Sequence, residues 1–217
     1  DLHSFPTRRS SDLLSSTSCK NDTPTLSPAP FDIARDGLVL GEGGAMFVLE
    51  SLRSALARGA KIYAEIVGFG TTCDGTHITR PQSETMRAAM QLALKDAAIS
   101  PDLIGHVNAH ATATKQGDVA ESTATHEIFG SQTPVSSYKG YLGHTLGACG
   151  ALESFISVMM MNEGLFYPNL NLQAIDPECA PLRYLTQPQE IKTNYVMNNN
   201  FAFGGVNTSL IFKKFID

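Results

Sequence analysis

Two histidines lie in segments whose composition suits chemistry at a carbonyl oxygen. His110 follows a short predicted strand and precedes a run of small Ala and Thr residues, which lets a ligand approach the backbone closely. His144 lies within residues 140–150, where four of eleven positions are Gly, directly before a nearly all-apolar helical pattern. Glycine costs conformational entropy that a purely structural helix does not need, and a helix N-terminus favours a developing anion. Both segments therefore predict a site at which negative charge develops.

The chemistry of two such histidines depends on what they bind. Two neutral imidazoles that each donate one N–H to the same oxygen would stabilise an enolate, whereas two metal-binding histidines need a third ligand nearby. Asp118 and Glu121 are candidates for that third ligand, so a metal site is the competing hypothesis. For His110 alone, a position in the core or at the surface is the ordinary interpretation, whereas for the Gly-rich segment of His144 a structural and a functional role are both open.

Lys139 and Glu153 flank the second histidine in sequence. Lys139 precedes His144 by five residues and Glu153 follows it by nine. Because Glu153 lies within the apolar helical pattern, a buried Lys–carboxylate pair beside the histidine is favoured over a surface Lys and an exposed Glu.

A third segment, residues 198–207, places Phe203 before a Gly-Gly pair between two predicted strands. One interpretation is an ordinary hairpin with a core Phe. The other is a loop whose backbone N–H lines an oxyanion site and whose aromatic ring gates a tunnel.

The elements around these segments alternate between strands and helices. Period-2 and period-3.6 patterns with Gly and Ser boundaries predict them. The predicted strands are 37–50, with a Gly-rich interruption, 61–70, 106–110, 134–137, 192–201 and 206–213, and the predicted helices are 51–58, 84–98, 116–129 and 141–162. This order favours a mixed α/β sheet covered by helices.

Composition limits the function classes. Only 17% of the 217 residues are charged, against roughly 25% in an ordinary soluble domain, so part of the surface is expected to face other protein. The net charge of −5 and the scattered basic residues argue against a nucleic-acid partner. No apolar run approaches the ~20 residues of a membrane span and no signal peptide opens the chain, so we expect no membrane association and a cytoplasmic location. Four widely spaced cysteines imply reduced thiols and no metal framework.

Residues 1–13 differ from the rest of the chain. They lack apolar periodicity, and the stretch from Ser4 to Leu13 resembles the read-through of a common sequencing adapter. We therefore expect these residues to be an unstructured artefact, with a targeting peptide as the alternative. The natural sequence would then begin near Leu14 without an initiator Met, which implies truncation at the N-terminus.

The three segments together resemble the β-ketoacyl-[acyl-carrier-protein] synthases, the condensing enzymes of fatty-acid and polyketide synthesis. The likeness runs from about Leu14 to Phe215 and includes the stretches 30–37, 41–43 and 61–65. It is greatest for the elongating, dimeric bacterial type. The resemblance implies a thiolase-like layered αβαβα fold, with residues 14–59 as the tail of the N-terminal half and residues 60–217 as the C-terminal domain.

The resemblance also assigns roles to the site residues. It implies that His110 and His144 hold the thioester carbonyl of malonyl-carrier protein while carbon dioxide leaves, and that Lys139 and Glu153 order this site. Phe203 would be the gating residue whose backbone N–H completes the oxyanion hole. The remaining positions are an acidic supporting pair, Asp118 and Glu121, and substrate-binding positions on the pantetheine path and around the gate, Thr112, Thr114, Ala202 and Gly204.

The nucleophilic cysteine of the family would lie upstream of Leu14, and none of the four cysteines present replaces it. The implied mechanism is ping-pong, with substrates carried on the phosphopantetheine of acyl carrier protein and no further cofactor. The partners implied are acyl carrier protein and a second subunit, in a homodimer or a ketosynthase heterodimer. This chain alone should be inactive.

Two other functions share the fold. A non-catalytic chain-length-factor-type subunit lacks the cysteine, but it has no chemical need for His110, Lys139 and His144 together. A biosynthetic thiolase needs a C-terminal Cys-x-Gly segment, which this sequence lacks.

Several positions depart from the family pattern. These are Ala111, Ala113, Tyr138, Tyr141 and Ala202. Because Ala adopts positive φ only with strain, Ala202 predicts a stiffer gating loop, and a specialised polyene or polyketide chain is the hypothesis for the substrate.

Overall fold

A mixed β-sheet forms the centre of the computed structural model, which describes residues 16–76 and 81–216. The interpretation of residues 1–13 as an artefact lies outside the described residues. The strands are β1 (Ala64–Cys73), β2 (His106–Asn108), β3 (Pro134–Ser136), β4 (Leu165–Phe166), β5 (Arg183–Tyr184), β6 (Gln189–Glu190), β7 (Tyr195–Phe201) and β8 (Val206–Lys214). Within the described part, six of them form the main sheet in the order β1-β8-β7-β2-β3-β5. The β1, β8 and β7 strands pair antiparallel, and β7, β2, β3 and β5 pair parallel.

Helices cover both faces of this sheet. They are α1 (Leu52–Ala57), α2 (Ser83–Asp96), α3 (Lys115–Phe129), α4 (Lys139–Leu142) and α5 (Cys149–Glu163). Successive side chains of β7 point to opposite faces of the sheet, so the core has two parts. Met197 packs with α2 and α3 on one face, and Val196 packs with Val158 and Met161 of α5 on the other. The predicted mixed sheet covered by helices is therefore confirmed. Among the described residues, no helix has the length and apolar character that a membrane crossing requires.

The predicted strand at 37–50 is wrong over most of its length. Leu38 and Leu40 make single bridges, to Thr17 and to His144, and residues 41–50 form no strand. Met46 and Val48 are 93% and 82% exposed. The residues have the composition of a strand, but no described residue forms a strand pair with 42–50, and a strand needs a neighbour for its backbone hydrogen bonds.

The predicted helix at 141–162 is also interrupted. Gly143, at φ +68°, ends α4, Leu146 has φ +54°, and a short 3₁₀ turn precedes α5. The backbone at His144 instead pairs with the 39–41 segment, since its N–H donates to Val39 O at 2.7 Å and its carbonyl accepts from Gly41 N at 3.0 Å. A Cβ on Gly41 would lie 2.0 Å from the Leu142 carbonyl oxygen, so this crossing requires glycine. The interruption takes His144 out of the helix and places it just before α5.

Other boundaries differ by a few residues. The helix α3 begins one residue before its predicted start, β1 begins at Ala64 instead of Lys61, and Ser83 is the first residue of α2 with Gln82 at the N-cap. These shifts are the ordinary uncertainty of element ends.

Candidate active site

The structure brings the two histidines together. His110 lies two residues beyond β2, His144 lies in the turn between α4 and α5, and their ring centroids are 5.2 Å apart with the rings edge to face. Both line a cavity of about 500 Å³. The two imidazoles are thus close enough to contact one small group in that cavity.

Backbone geometry orients the His144 imidazole. The N–H of Leu146 donates to His144 Nδ1 at 3.3 Å, so in the neutral ring the proton is on Nε2. The positive φ that presents this N–H is unfavourable for Leu by about 1–2 kcal/mol. Burial, reinforced by the Lys139 ammonium, lowers the pKa of His144 to about 3. At neutral pH the ring therefore has one N–H donor, at Nε2.

His110 is held through its backbone. Its N–H and that of Ala111 donate to the two oxygens of the Glu121 carboxylate, at 2.8 and 2.7 Å. Burial, reinforced by the Lys139 ammonium and by the nearby His144 ring, holds the pKa of His110 well below its ordinary value. Burial also raises the pKa of Glu121 to about 8, although the two backbone N–H groups oppose that shift. His110 is therefore a second neutral donor.

Lys139 and Glu153 form an ion pair between α4 and α5. Both side chains are 1% exposed, and Lys139 Nζ contacts Glu153 Oε1. Burial raises the pKa of Glu153, and the Lys139 ammonium is the main opposing influence. The buried pair expected from the sequence is present, and its ammonium acts electrostatically on both imidazoles.

Asp118 supports the loop after His110 from the first turn of α3. Its carboxylate accepts from Phe31 N at 2.8 Å and Ala113 N at 3.2 Å, which holds Ala113 at φ +66°. Arg35 Nε lies 3.4 Å from Asp118 Oδ2. Burial raises the pKa of Asp118 to about 6, although the Arg35 guanidinium and the two backbone N–H groups favour the charged form. The buried Arg35 also donates to the carbonyls of Asp32, Thr114 and Lys115. Sequence reasoning missed Arg35, although Asp32 and Arg35 at a spacing of three were a visible signal.

The acidic pair is not arranged as metal ligands. Asp118 and Glu121 direct their carboxylates to backbone N–H groups, and the described parts of the chain contain no group of three His, Cys, Asp or Glu residues that could hold a metal ion.

The remaining predicted positions surround the cavity mouth. Thr112 and Thr114 line it with hydroxyls 3.1 Å apart, and Ala202 and Phe203 line it from the β7–β8 turn. Phe203 is 42% exposed. Gly204 lies in the same turn at φ +87° but is not in the cavity wall. Ala202 does not have a positive φ, so the Ala at this position is unstrained in this conformation.

Asp74 anchors the β7–β8 turn, and the sequence did not single it out. Its carboxylate accepts from Asn207 Nδ2 at 2.6 Å, from Gln82 N at 3.2 Å and from the Thr85 hydroxyl, and its own N–H donates to Gly205 O at 2.9 Å. The Asp-Gly pair four residues beyond the predicted strand 61–70 was the available signal.

Substitution of the two turn glycines tests this contact. Gly205→Ala should reduce the free energy of unfolding by about 2–4 kcal/mol, because φ is +80° and the new Cβ would lie 2.5 Å from Asp74 Cβ. Gly204→Ala should cost only about 1–2 kcal/mol, since φ is unfavourable but no atom lies within 4 Å of the new Cβ. Urea denaturation measures both, and equal losses would contradict the close contact with Asp74.

Comparison with known proteins identifies this arrangement. The model of the β-ketoacyl synthase C-terminal domain matches residues 63–173. The chain belongs to the β-ketoacyl synthase family. It is 43% identical over 204 residues to 3-oxoacyl-[acyl-carrier-protein] synthase 2 of Synechocystis, covering 91% of this chain and 49% of that protein.

Solved structures of ketosynthases agree with the fold. A β-ketoacyl synthase from Burkholderia phymatum superposes with a TM-score of 0.96 at 55% identity, over 98% of this chain and 52% of that one. The structure of the ketosynthase ApeO in complex with its chain length factor ApeC, from Xenorhabdus doucetiae, contains a chain that superposes with a TM-score of 0.78 at 33% identity, over 95% of this chain and 49% of that one. The chain thus spans about half the length of the relatives it matches and corresponds to the C-terminal half of a ketosynthase.

None of the four cysteines of this ketosynthase chain is placed or activated at the two histidines: two are buried and two lie away from the cavity. All four are free thiols. Cys149 and Cys179 are buried, and burial raises the pKa of both, that of Cys179 to about 11. Neither Cys19 nor Cys73 lines the cavity. Because the thiolate is the reactive form, burial disfavours Cys149 and Cys179 as nucleophiles.

Proposed function

We propose that the protein containing this chain condenses an acyl thioester with malonyl-acyl carrier protein, and that this chain supplies the decarboxylating half of the site. The observation that carries the proposal is the pair of neutral imidazoles, 5.2 Å apart in one cavity beside a buried ammonium. Neutral N–H donors aimed at one oxygen stabilise a developing oxyanion without attracting the substrate carboxylate as a cation would.

The reaction follows from that geometry. His110 and His144 each donate one N–H to the thioester carbonyl oxygen of the malonyl group. The bond from the α-carbon to the carboxylate breaks, carbon dioxide leaves, and its electron pair forms an enolate whose charge develops on that oxygen. The enolate carbon then attacks the carbonyl carbon of an acyl group held on a cysteine thiol, and the cysteine leaves as thiolate. That cysteine is proposed to belong to the upstream half.

Other residues have supporting roles in the proposal. The Lys139 ammonium disfavours protonation of both imidazoles, and Glu153 compensates its charge. Thr112 and Thr114 would contact the pantetheine arm at the cavity mouth. The turn of Ala202, Phe203 and Gly204 would gate it, with the Phe203 backbone N–H completing the oxyanion hole.

The domain arrangement is proposed with the function. Residues 14–59 would be the tail of the N-terminal half and residues 60–217 the C-terminal domain. Support comes from apolar surface that the described residues leave uncovered: Met46, Val48, Leu49, Phe69 and Phe155. A partner half would bury these side chains, which agrees with the half-length matches.

Acyl carrier protein and a second subunit, identical or a chain length factor, are the proposed partners, and the cytoplasm is the proposed location. A chain-length-factor-type subunit is the alternative identity. The substrate would be a polyene or polyketide chain, supported by the buried Tyr138 directly before Lys139, one of the departures from the family pattern.

Expression of the full-length protein tests the function. With malonyl- and acyl-carrier protein it should release carbon dioxide and form the condensed product, preferring unsaturated or polyketide acyl groups over long saturated ones, whereas the 217-residue chain alone should do neither. The upstream sequence should contain a cysteine at a strand-to-helix turn, and Gln or Ser there would indicate the partner subunit instead. Condensation by the isolated 217 residues would overturn the placement of the nucleophile.

A further inference from the structure

Three asparagines, of which Asn108 and Asn198 are buried and Asn200 is half-buried, form an amide cluster outside the cavity. Asn108 lies on β2, and Asn198 and Asn200 lie two positions apart on β7, so all three project from one face of the sheet. Asn108 Nδ2 donates to Asn198 Oδ1, and Asn198 Nδ2 donates to Ser154 Oγ at 2.9 Å. None of the three lines the cavity.

The cluster contacts Glu153 on the oxygen that Lys139 does not use. Asn200 Nδ2 donates to Glu153 Oε2 at 3.1 Å and Asn108 Nδ2 lies 3.4 Å from it, whereas Lys139 contacts Oε1. A carboxylate with fixed donors on both oxygens has one orientation, and charge-assisted hydrogen bonds are the stronger kind. Besides Lys139, the ionisable groups on which the Glu153 charge acts are Tyr138 and Cys149.

Gly150 makes room for this arrangement. It is the second residue of α5, and a Cβ there would lie 3.0 Å from Asn200 Oδ1. Its carbonyl accepts from Asn198 Nδ2 at 3.3 Å. A glycine inside a helix is unfavourable by about 1 kcal/mol relative to Ala. Close approach of the amide cluster to the helix accounts for glycine at this position.

We infer that Asn200, assisted by Asn108, is a positioning residue that fixes the Glu153 carboxylate and through it the Lys139 ammonium beside the two imidazoles. The inference rests on the proposed function for its catalytic consequence, but the ion-pair contact itself does not. Asn200 does not touch the reacting group. Its loss should therefore slow decarboxylation while leaving substrate binding unchanged.

Asn199 provides a matched control. It lies between Asn198 and Asn200 on β7 but on the opposite face, where its amide contacts Met90 Sδ at 3.3 Å and accepts from Ser209 Oγ at 2.8 Å. Asn199→Ala removes a buried amide from the same strand without touching the ion pair. It separates a positioning effect from general loss of stability.

The test compares both variants in the full-length protein by carbon dioxide release from malonyl-carrier protein. Asn200→Ala should lower kcat about tenfold with unchanged KM, and the acid limb of the pH profile should move to higher pH, because a carboxylate that loses a donor takes up its proton more readily. Asn200→Asp should lower kcat further. Asn199→Ala should leave kcat, KM and the pH profile unaltered, and the proposal is overturned if Asn200→Ala matches this control.

A double-mutant cycle on unfolding stability tests the contact between Asn200 and the ion pair independently of activity. If the wild-type protein releases no carbon dioxide, that result counts against the proposed function alone, and the cycle still tests the contact. Asn200→Ala and Lys139→Met should be coupled, so that their combined effect on the unfolding equilibrium constant departs from the product of the single effects by about fivefold or more. Asn199→Ala with Lys139→Met should give that product. If the combined effect of Asn200→Ala and Lys139→Met also equals the product of the two single effects, the positioning role is rejected.

Discussion

Replacing either His110 or His144 by Ala in the full-length protein should reduce carbon dioxide release from malonyl-carrier protein by about 10²–10³-fold, the usual effect of removing one oxyanion donor. The reason is that each neutral ring supplies one of two N–H donors to the oxygen on which the enolate charge develops. Release of labelled carbon dioxide, measured with saturating substrate, reports this step directly.

A histidine outside the cavity provides the control. His126 lies in the last turn of α3 and its ring contacts Ser131. His126→Ala should leave the rate within about twofold of wild type, as expected of a surface substitution. Equal losses for His110 and His126, or a His144 variant with wild-type rate, would contradict the assigned roles.

Lys139→Met should reduce the free energy of unfolding by about 3–5 kcal/mol, because it leaves the Glu153 carboxylate buried without its counter-charge. The double variant Lys139→Met, Glu153→Gln should recover most of that loss, since no isolated charge remains. Both variants should be inactive in decarboxylation. The double variant would then be stable but inactive, which distinguishes the role of the ion pair in stability from its role in the reaction. Urea denaturation gives the free energies.

The Lys139→Met loss should depend on pH with a definite sign. Burial raises the pKa of Glu153 and Lys139 opposes it, so the variant's folded-state pKa rises above the unfolded value. The folded form then binds more protons, and stability falls as pH rises from about 4.5 toward that higher pKa. The destabilisation at pH 8 should therefore exceed that at pH 5. The same loss at both values would show that Glu153 is not desolvated.

Local patterns were sufficient for much of this fold. The 115–129 helix ends at Gly130, a stop signal next to it in sequence, and the 195–201 and 206–214 strands are neighbours in sequence that pair with each other. The 41–50 stretch was misassigned because strand composition does not reveal whether a partner is present. The 143–148 break was missed because it depends on a distant segment that draws the His144 backbone away.

The residues of the candidate site likewise fall into those that the sequence reveals and those that it does not. Residues that differ in type from their surroundings, such as His110, His144 and Glu153 in apolar or Gly-rich contexts, could be selected from the sequence. The local signal was weak for Arg35 and Asp74 and absent for Asn200, because the importance of these residues lies in contacts to residues 79, 133 and 47 positions away. Such long-range polar contacts leave no local periodicity.

The bridge between Leu40 and His144 limits how the protein can be divided into exchangeable modules. The family model begins at residue 63, yet the main chain of the second histidine is hydrogen-bonded to residues 39–41. A chimaera joined at the model boundary would bring a foreign segment to that bridge and leave the histidine dependent on how well the foreign chain fits. Crossover points between related ketosynthases should therefore lie upstream of Leu38, so that both strands of the bridge come from the same parent.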